Sequence, residues 1–377
     1  MARALRLAQQ ARGRTSPNPM VGAVVVSGSR IVGRGYHHRA GQAHAEVLAL
    51  RAAGTKARGA TLYVTLEPCC HTDKRTPPCV PSVIASGVRR VVVAMRDPNP
   101  RVRGRGIARL RRAGIDVATG CLEDEAERLN EAYTHWIRTG RPFVMMKAAM
   151  TLDGKIATAA GVSKWITGEE ARRDVHRLRS AVDAVMVGIE TVLHDDPKLT
   201  ARVKGTSARQ PIRIILDSTL RIPATATVLS SPGGQVLIAT TTHAAKDRID
   251  DLRARGAIVL PLPAEEGRPS LRACLEELGR RGVTSVLLEG GATVNESALR
   301  AGLVDRVILY VAPALLGGQD ARSVIGGTSP QVLSDARRLE NLRITSVGND
   351  LKIEASPARV TPSRSSRTRS DTPRKQI

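Results

Sequence analysis

The residues best suited to chemistry are His44-Ala-Glu46, Pro68-Cys69 and Cys79. Zinc in a hydrolytic site takes three protein ligands and keeps its fourth position for water. The imidazole of His44 and the thiolates of Cys69 and Cys79 supply such a set. Glu46 follows His44 by two residues at the start of a predicted helix, so it reaches the water without occupying the metal. A carboxylate so placed takes a proton from the water and returns it to a leaving amine, which is hydrolytic deamination. Cys69 follows a predicted strand and Cys79 opens a predicted helix, positions where backbone N–H groups stabilise thiolates. The competing reading is a structural zinc knuckle with Cys70 or His71 as fourth ligand, which leaves Glu46 and the Thr15-Ser-Pro-Asn-Pro19 turn without roles. His37 and His38 read as loop residues near substrate, and Cys121 and Cys274 as ordinary buried thiols.

These residues need a scaffold, and the hydrophobic pattern supplies one. Ala4 to Gln10 reads as a short helix, Val21 to Val26 as a strand, and Ser27-Gly-Ser29 as a hairpin turn into a second strand. The two prolines of Thr15 to Pro19 fix φ and make that segment a rigid turn. A helix at Gln42 to Ala53 ends at Gly54, and Ala60 to Leu66 is a strand. A helix at Pro81 to Ser86, a strand at Arg89 to Met95 and a helix at Gly104 to Ala113 follow. Alternation of this kind predicts an α/β sandwich for residues 1–142, closed near Thr139-Gly-Arg-Pro142.

A second α/β domain is expected over residues 143–355. Its strands are Phe143 to Met150, Ala184 to Val187, Ile212 to Leu216, Ser285 to Leu288 and Arg306 to Val311. Leu152-Asp-Gly-Lys155 is a hairpin-type turn, and helices are expected at Glu169 to Arg179 and around Leu271 to Arg280. No G-x-G-x-x-G follows a predicted strand. Glu289-Gly-Gly-Ala-Thr293 does lie between a strand and a helix, where N–H groups bind phosphate. A glycine turn for tight packing competes with that reading. Residues 356–377 form a Ser/Thr/Pro/Arg-rich tail whose composition predicts disorder.

The 377 residues are 42% hydrophobic, enough for two cores without disulfides. No apolar run reaches the roughly 20 residues that span a bilayer. Three clustered cysteines out of an odd five suit a metal site in a reducing compartment, hence the cytoplasm. Lys+Arg is 58 against 35 Asp+Glu, a formal +23, and the tail carries six bases against one acid. That excess favours polyanions. Seven aromatics are too few for the stacking platforms of single-strand binders, so a nucleic-acid partner is disfavoured and a phosphorylated small substrate fits the charge as well.

Thr15-Ser-Pro-Asn-Pro, His44-Ala-Glu, Leu66-Glu-Pro-Cys, Arg75-Thr-Pro-Pro-Cys79 and Asp97-Pro-Asn-Pro100 occur in an order that resembles the bifunctional riboflavin-biosynthesis deaminase-reductases. The likeness continues through Lys147 to Gly154, Ser163-Lys-Trp-Ile-Thr167, Arg172-Arg-Asp174, Thr191 to Thr200, Leu288-Glu-Gly-Gly291 and Ala312-Pro-Ala-Leu-Leu-Gly317. The resemblance implies a cytidine-deaminase-like α/β/α sandwich followed by a dihydrofolate-reductase-like α/β domain. It implies hydrolysis of the 2-amino group of 2,5-diamino-6-ribosylamino-4(3H)-pyrimidinone 5′-phosphate, then NADPH-dependent reduction of the ribosyl to a ribityl chain. His44, Cys69 and Cys79 would hold Zn2+, Glu46 would shuttle protons, and Asn18, His71 and Asn99 would border the pyrimidine. Ala149, Trp165, Thr191, Asp195, Ser218 and Gly291, Ala292, Thr293, Val294, Asn295, Glu296 and Ser297 would line the NADPH site. Ser163, Arg179, Leu199, Arg202 and Glu289 match substrate positions; Arg179 and Arg202 suit a 5′-phosphate. Lys147 and Glu289 are both candidates for handling protons at the sugar, and a homo-oligomer is expected. A nucleic-acid deaminase is the competing enzyme, and a purely charge-driven nucleic-acid binder the competing non-enzyme. Cys69 and Cys79 stand ten apart where the family more often has nine, with Asp73-Lys74 lengthening the loop, and Cys70 replaces a common Ser. The extra residue is expected to bulge outward and spare the ligands.

Overall fold

Two sheets organise the chain, each built on the β-branched runs noted above. The computed structural model describes residues 1–72, 76–203, 205 and 208–358. The loop insertion Asp73-Lys74 with Arg75, and the tail from residue 359 on, lie outside the described residues.

The first sheet has the order β2-β1-β3-β4-β5, with β1 (Gly22–Ser27), β2 (Arg30–Tyr36), β3 (Thr61–Leu66), β4 (Arg90–Met95) and β5 (Asp116–Thr119). β1 pairs antiparallel with β2 and β3, whereas β3, β4 and β5 run parallel. Helices α1 (Ala2–Gln9) and α5 (Glu123–Leu129) pack against one face; α2 (Ala45–Ala53), α3 (Cys79–Ala85) and α4 (Arg105–Arg112) form the opposite layer. Gly33 and Gly35 on β2 let α2 sit directly on the sheet, because a Cβ there would meet Ala49 O at 2.1 Å and Ala45 O at 2.5 Å. The core is small and aliphatic: Ala23, Val25, Leu62, Val64, Val91 and Val93 from the strands against Ala45, Ala49, Val83 and Leu110 from the helices.

α6 (Glu131–Thr139) leads into the second sheet, which contains β6 (Phe143–Thr151), β8 (Ala184–Gly188), β9 (Ile212–Leu216), β10 (Val236–Thr241), β11 (Ile258–Leu262), β14 (Ser285–Leu288), β15 (Arg306–Ala312), β17 (Leu339–Val347) and β18 (Asp350–Pro357). Their order is β11-β10-β9-β8-β14-β6-β15-β18-β17; seven strands are parallel, and β18 and β17 add an antiparallel hairpin. Two short ribbons, β7 (Lys155–Ala157) with β16 (Arg322–Ser323) and β12 (Ala264–Glu265) with β13 (Arg268–Pro269), stand outside it. The helices are α7 (Glu169–Ala181), α8 (Ile189–Asp195), α9 (Thr227–Ser230), α10 (Lys246–Ala254), α11 (Leu271–Arg280) and α12 (Ala292–Arg300). β14 enters between β6 and β8 after the chain has travelled out to β11, so strand direction in sequence reverses there and a crevice opens at the carboxyl ends.

Some boundaries move. The helix expected from Gln42 begins at Ala45 with His44 as its N-cap, and the one expected from Pro81 begins at Cys79. β18 runs two residues into the segment read as tail, pairing Ser356 with Glu340 and Pro357 with Leu339. Cys274 is buried and its thiol is pushed up to about 12 by that burial. Cys121, expected to be buried, is only half-buried in the turn before α5.

Asp97, 5% exposed after β4, accepts from Asn99 N at 2.9 Å and Tyr133 Oη at 3.1 Å. Burial outweighs those bonds and, with the charges of Glu67 and Cys69, pushes its carboxyl from 3.8 up to about 6. A carboxyl raised by folding contributes stability that is complete below about pH 4 and lost as pH rises through about 6. Asp97→Asn keeps a carbonyl acceptor. It is expected to leave Tm unchanged near pH 4 and to raise stability at pH 8 by on the order of 2–3 kcal/mol, as read from thermal unfolding across a pH series.

Candidate active sites

The first site forms where the amino ends of α2 and α3 meet the carboxyl end of β3. Both helix starts turn partial positive charge toward thiolates. His44 Nδ1 lies 3.5 Å from Cys69 Sγ and 3.2 Å from Cys79 Sγ, and the three ligand atoms all fall within 4.8 Å of one another. Ligand edges of about 3.5 Å are what Zn–N and Zn–S bonds of roughly 2.0–2.3 Å produce in a tetrahedron. Thr76 Oγ1 sits 3.1 Å from His44 Nε2 and steadies the ring from behind. Cys79 N donates to Cys69 Sγ at 3.3 Å, so a helix-start amide stabilises a thiolate as expected. Among the described residues the cluster has three ligands: Cys70 is not part of it, and its Sγ faces Arg101 O at 4.0 Å. That disfavours the four-ligand knuckle.

Glu46 is 2% exposed, and its Oε2 is buried with no hydrogen-bond partner among the described residues. Burial raises its pKa, the Cys69 thiolate raises it further, and His44 opposes both. A buried carboxylate oxygen left without a partner beside three metal ligands fits a site built to meet a metal ion and water.

Three residues support the site, of which Glu67 and Asn130 were given no role by the sequence reading. Glu67, 2% exposed, accepts from the N–H groups of Asp97 (3.3 Å), Gly104 (2.9 Å), Gly106 (3.0 Å) and Ile107 (3.2 Å), which locks the Cys69 loop to the start of α4. His37, expected near substrate, is buried edge-on to His44 with ring centroids 5.1 Å apart, and lies 3.0 Å from Asn18 Nδ2. Asn130 is buried between α5 and α6 and bonds both Met20 N and Met20 O, pinning the end of the Asn18 turn. Asn18 therefore stands beside the metal ligands. Asn99 spends its Oδ1 on Arg101 N at 3.0 Å and builds the turn itself. His71 is half-buried beyond Cys70, at the edge of the undescribed loop.

The second site is a cleft of about 1600 Å³ at the carboxyl ends of the parallel strands. Lys147 and Ala149 share one face of β6 through the two-residue strand period. Glu289 follows β14, whose Leu288 pairs with Met146, and so arrives next to Lys147. Its carboxylate receives Arg179 Nε and Nη2 at 2.6 and 2.9 Å, and Lys147 Nζ lies at 3.5 Å. Burial alone would raise the Glu289 pKa; the two cations override it and hold it at about 2. Arg179 also donates to Thr200 O at 3.3 Å, so its guanidinium is held by the protein where it lines the cleft. Arg202, exposed at the cleft, lies 3.0 Å from His176 Nε2. Burial and the charges of Arg179 and Arg202 press His176 down to about 4, so it stays neutral.

Ser163, Trp165, Thr191, Asp195, Leu199 and Ser218 line the same cleft, as do Gly291, Ala292, Thr293, Val294 and Ser297. Trp165 is 71% exposed under the Arg172 guanidinium, which excludes the core-aromatic reading. Ser163 Oγ bonds Asp195 at 3.3 Å, and Leu199 turns its side chain into the core. Asn295 and Glu296 do not border the cleft. Asn295 is fully buried and its Nδ2 donates to Val324 O, and Glu296 pairs with Arg300, which does line the cleft. Gly291, the N-cap of α12, has no atom within 4 Å of where a Cβ would stand, leaving open space in front of the helix-start amides. Gly188 and Gly290 instead make room for Val294, whose side chain a Cβ at either would meet within 2.9 Å, so the packing reading applies to Gly290 and not to Gly291.

Comparison with known proteins covers both halves. Residues 1–95 match the cytidine and deoxycytidylate deaminase zinc-binding region, and residues 142–353 match the RibD C-terminal domain. The riboflavin biosynthesis protein RibD of Bacillus amyloliquefaciens is 45% identical over 357 residues, 95% of each chain. That of Escherichia coli (strain K12) is 44% identical over 362 residues, covering 93% of this chain and 96% of the relative. Among solved structures, Acinetobacter baumannii RibD (form 1) superposes with a TM-score of 0.87 at 39% identity, covering 95% of this chain and 98% of that one. The deaminase/reductase of Thermotoga maritima gives 0.82 at 36% identity over 95% and 97%. Similar from one domain through the other to proteins of this kind, the chain belongs to the RibD family, the bifunctional deaminase-reductases of riboflavin biosynthesis.

Proposed function

We propose that residues 1–142 remove the 2-amino group of diaminopyrimidinone ribosyl phosphate and that residues 143–355 then reduce its ribosyl chain with NADPH. The observation that carries the first half is the buried Glu46 with its partnerless Oε2 beside His44, Cys69 and Cys79. Those three residues would hold zinc, which when bound lowers the pKa of water enough for attack at neutral pH. Glu46 takes the proton of the attacking water and delivers it to the departing amine; desolvation makes its carboxyl a willing carrier in both directions. Asn18, held by His37, orients the pyrimidine.

In the second half the amides at the start of α12 would hold a phosphate of NADPH, which when bound would supply the hydride for C1′ of the opened sugar. Glu289 remains ionised, so it serves to aim Lys147, and Lys147 is the group that handles the proton at the sugar oxygen. Arg202, backed by neutral His176, receives the substrate phosphate. Cysteines gathered as metal ligands favour a reducing compartment, the cytoplasm. Among the described residues no helix is long and apolar enough to cross a membrane. Exposed Leu339, Leu342 and Ile344 on the outer strand β17 favour pairing with a second copy.

Product mass after incubation with the diaminopyrimidinone ribosyl phosphate tests the reading: deamination without NADPH and a further two-hydrogen gain with it. Unchanged mass from zinc-loaded protein would overturn it. Glu46→Gln is expected to keep its zinc and its reductase activity while ammonia release drops by about 10²–10⁴-fold. The two arginines should separate. Arg202→Ala raises the reductase KM about tenfold with Tm unchanged. Arg179→Met leaves Glu289 underpaired and lowers stability by roughly 3–5 kcal/mol, seen in denaturant unfolding. Light scattering is expected to give more than one chain per particle, reduced by Leu342→Glu.

A further inference from the structure

The turn that carries Asn18 is held by the other domain. Ser16 Oγ donates to Asp183 Oδ2 at 2.7 Å, a residue that immediately precedes β8 of the second sheet. Asp183 is 3% exposed, and the same Oδ2 accepts from Thr284 N at 2.8 Å and Thr284 Oγ1 at 2.7 Å. Its Oδ1 accepts from Arg209 Nη1 at 2.7 Å, and that guanidinium group also donates to Gly13 O at 3.3 Å. Asp183 is thus anchored from both oxygens within its own domain, with one bond directed across the boundary. Close backbone packing supports this: a Cβ on Gly13 would meet Ser180 O at 2.1 Å. From Ser16 the turn continues two residues to Asn18, whose Nδ2 meets His37, whose ring packs on the metal ligand His44.

We infer that Asp183 of the reductase domain is a positioning residue for the deaminase: through Ser16 it sets the Thr15–Pro19 turn so that Asn18 faces the pyrimidine. The inference rests on the reading of Asn18 as a substrate contact. The turn is tied at its far end within its own domain by Asn130, through Met20. At its near end the side-chain tie is Ser16 to Asp183 and Thr284. A near-attack geometry is sensitive to displacements of about 1 Å, so loosening one end of the turn should tell on substrate capture.

The test uses the full-length zinc-loaded enzyme and measures ammonia release from the diaminopyrimidinone ribosyl phosphate, with reduction of the deaminated product assayed in parallel. Ser16→Ala is expected to raise the deaminase KM about tenfold with kcat within about twofold. Zinc content and reductase kinetics should stay unchanged, and Ser16→Thr, which keeps the hydroxyl, should restore KM. Asp183→Asn should raise the same KM, and the double variant with Ser16→Ala should be no worse than Ser16→Ala alone, because both act through one contact. An unchanged KM in Ser16→Ala, or equal losses in both activities with a fallen Tm, would overturn the inference. Asn18→Ala, run alongside, separates the two levels. If it raises KM while Ser16→Ala does not, the Asp183 link fails and the reading of Asn18 stands. If it leaves KM unchanged, that reading fails and the inference with it.

Discussion

A carboxylate withdrawn from water costs several kcal/mol unless its oxygens are met by donors or cations. The architecture depends on how that cost is met at four acids, Glu46, Glu67, Asp183 and Glu289, each 5% exposed or less or set among buried partners. Glu67 is satisfied by four backbone amides from the turn before α4 and its first residues, and this fixes the loop that presents Cys69. Asp183 is satisfied by Thr284, Arg209 and Ser16 and joins the two sheets. Glu289 is satisfied by Arg179 and Lys147 and fixes the floor of the reductase cleft. Of these four, among the described residues, only Glu46 keeps an oxygen without a partner, and it is the one placed at the metal ligands. The bonds of the other three hold parts of the scaffold together.

The two domains share more than a linker. Glu131 at the start of α6 pairs with both terminal nitrogens of Arg306 on β15, and that guanidinium lies over the Phe143 ring. Trp136 Nε1 donates to Gly279 O, and Gly279 lets α11 approach so closely that a Cβ would meet Gly140 O at 1.9 Å. Bonds of this kind, spread from Gly13 to Arg306, hold the first domain against the second at several separated points. Successive reactions on one small phosphorylated substrate are thereby carried by a single framework, although each site is assembled from its own sheet.

Several of the arginines work inside the protein. Arg213 is buried on β9 and donates to the carbonyls of Val228, Ser231 and Gly234, closing the loop between β9 and β10. Arg248 bridges Asp251 to the carbonyls of Leu220 and Ile222. Arg179 neutralises Glu289, and Arg306 neutralises Glu131. A five-donor planar cation suits such work because it satisfies several carbonyls at once. Net charge, summed over the chain, does not distinguish an arginine that caps a loop from one that faces a polyanion.

Local chemistry was legible without coordinates wherever a residue's role follows from its neighbours in the chain. His44 and the two cysteines define a metal-ligand set by type and spacing, the strand runs define two α/β domains, and Gly290-Gly291 marks a helix start. Tertiary structure decided what depends on residues far apart in sequence. Arg179 and Glu289 stand 110 residues apart and meet as an ion pair only in the folded chain, with Lys147 beside them. Asn295 lies in the motif after Glu289, and only the packed structure brings its amide to Val324 O. Glu67, Asn130 and Asp183 were given no role from the sequence, because a buried hydrogen bond is a relation between two chain segments. One segment read alone shows only a polar residue that ordinarily faces water.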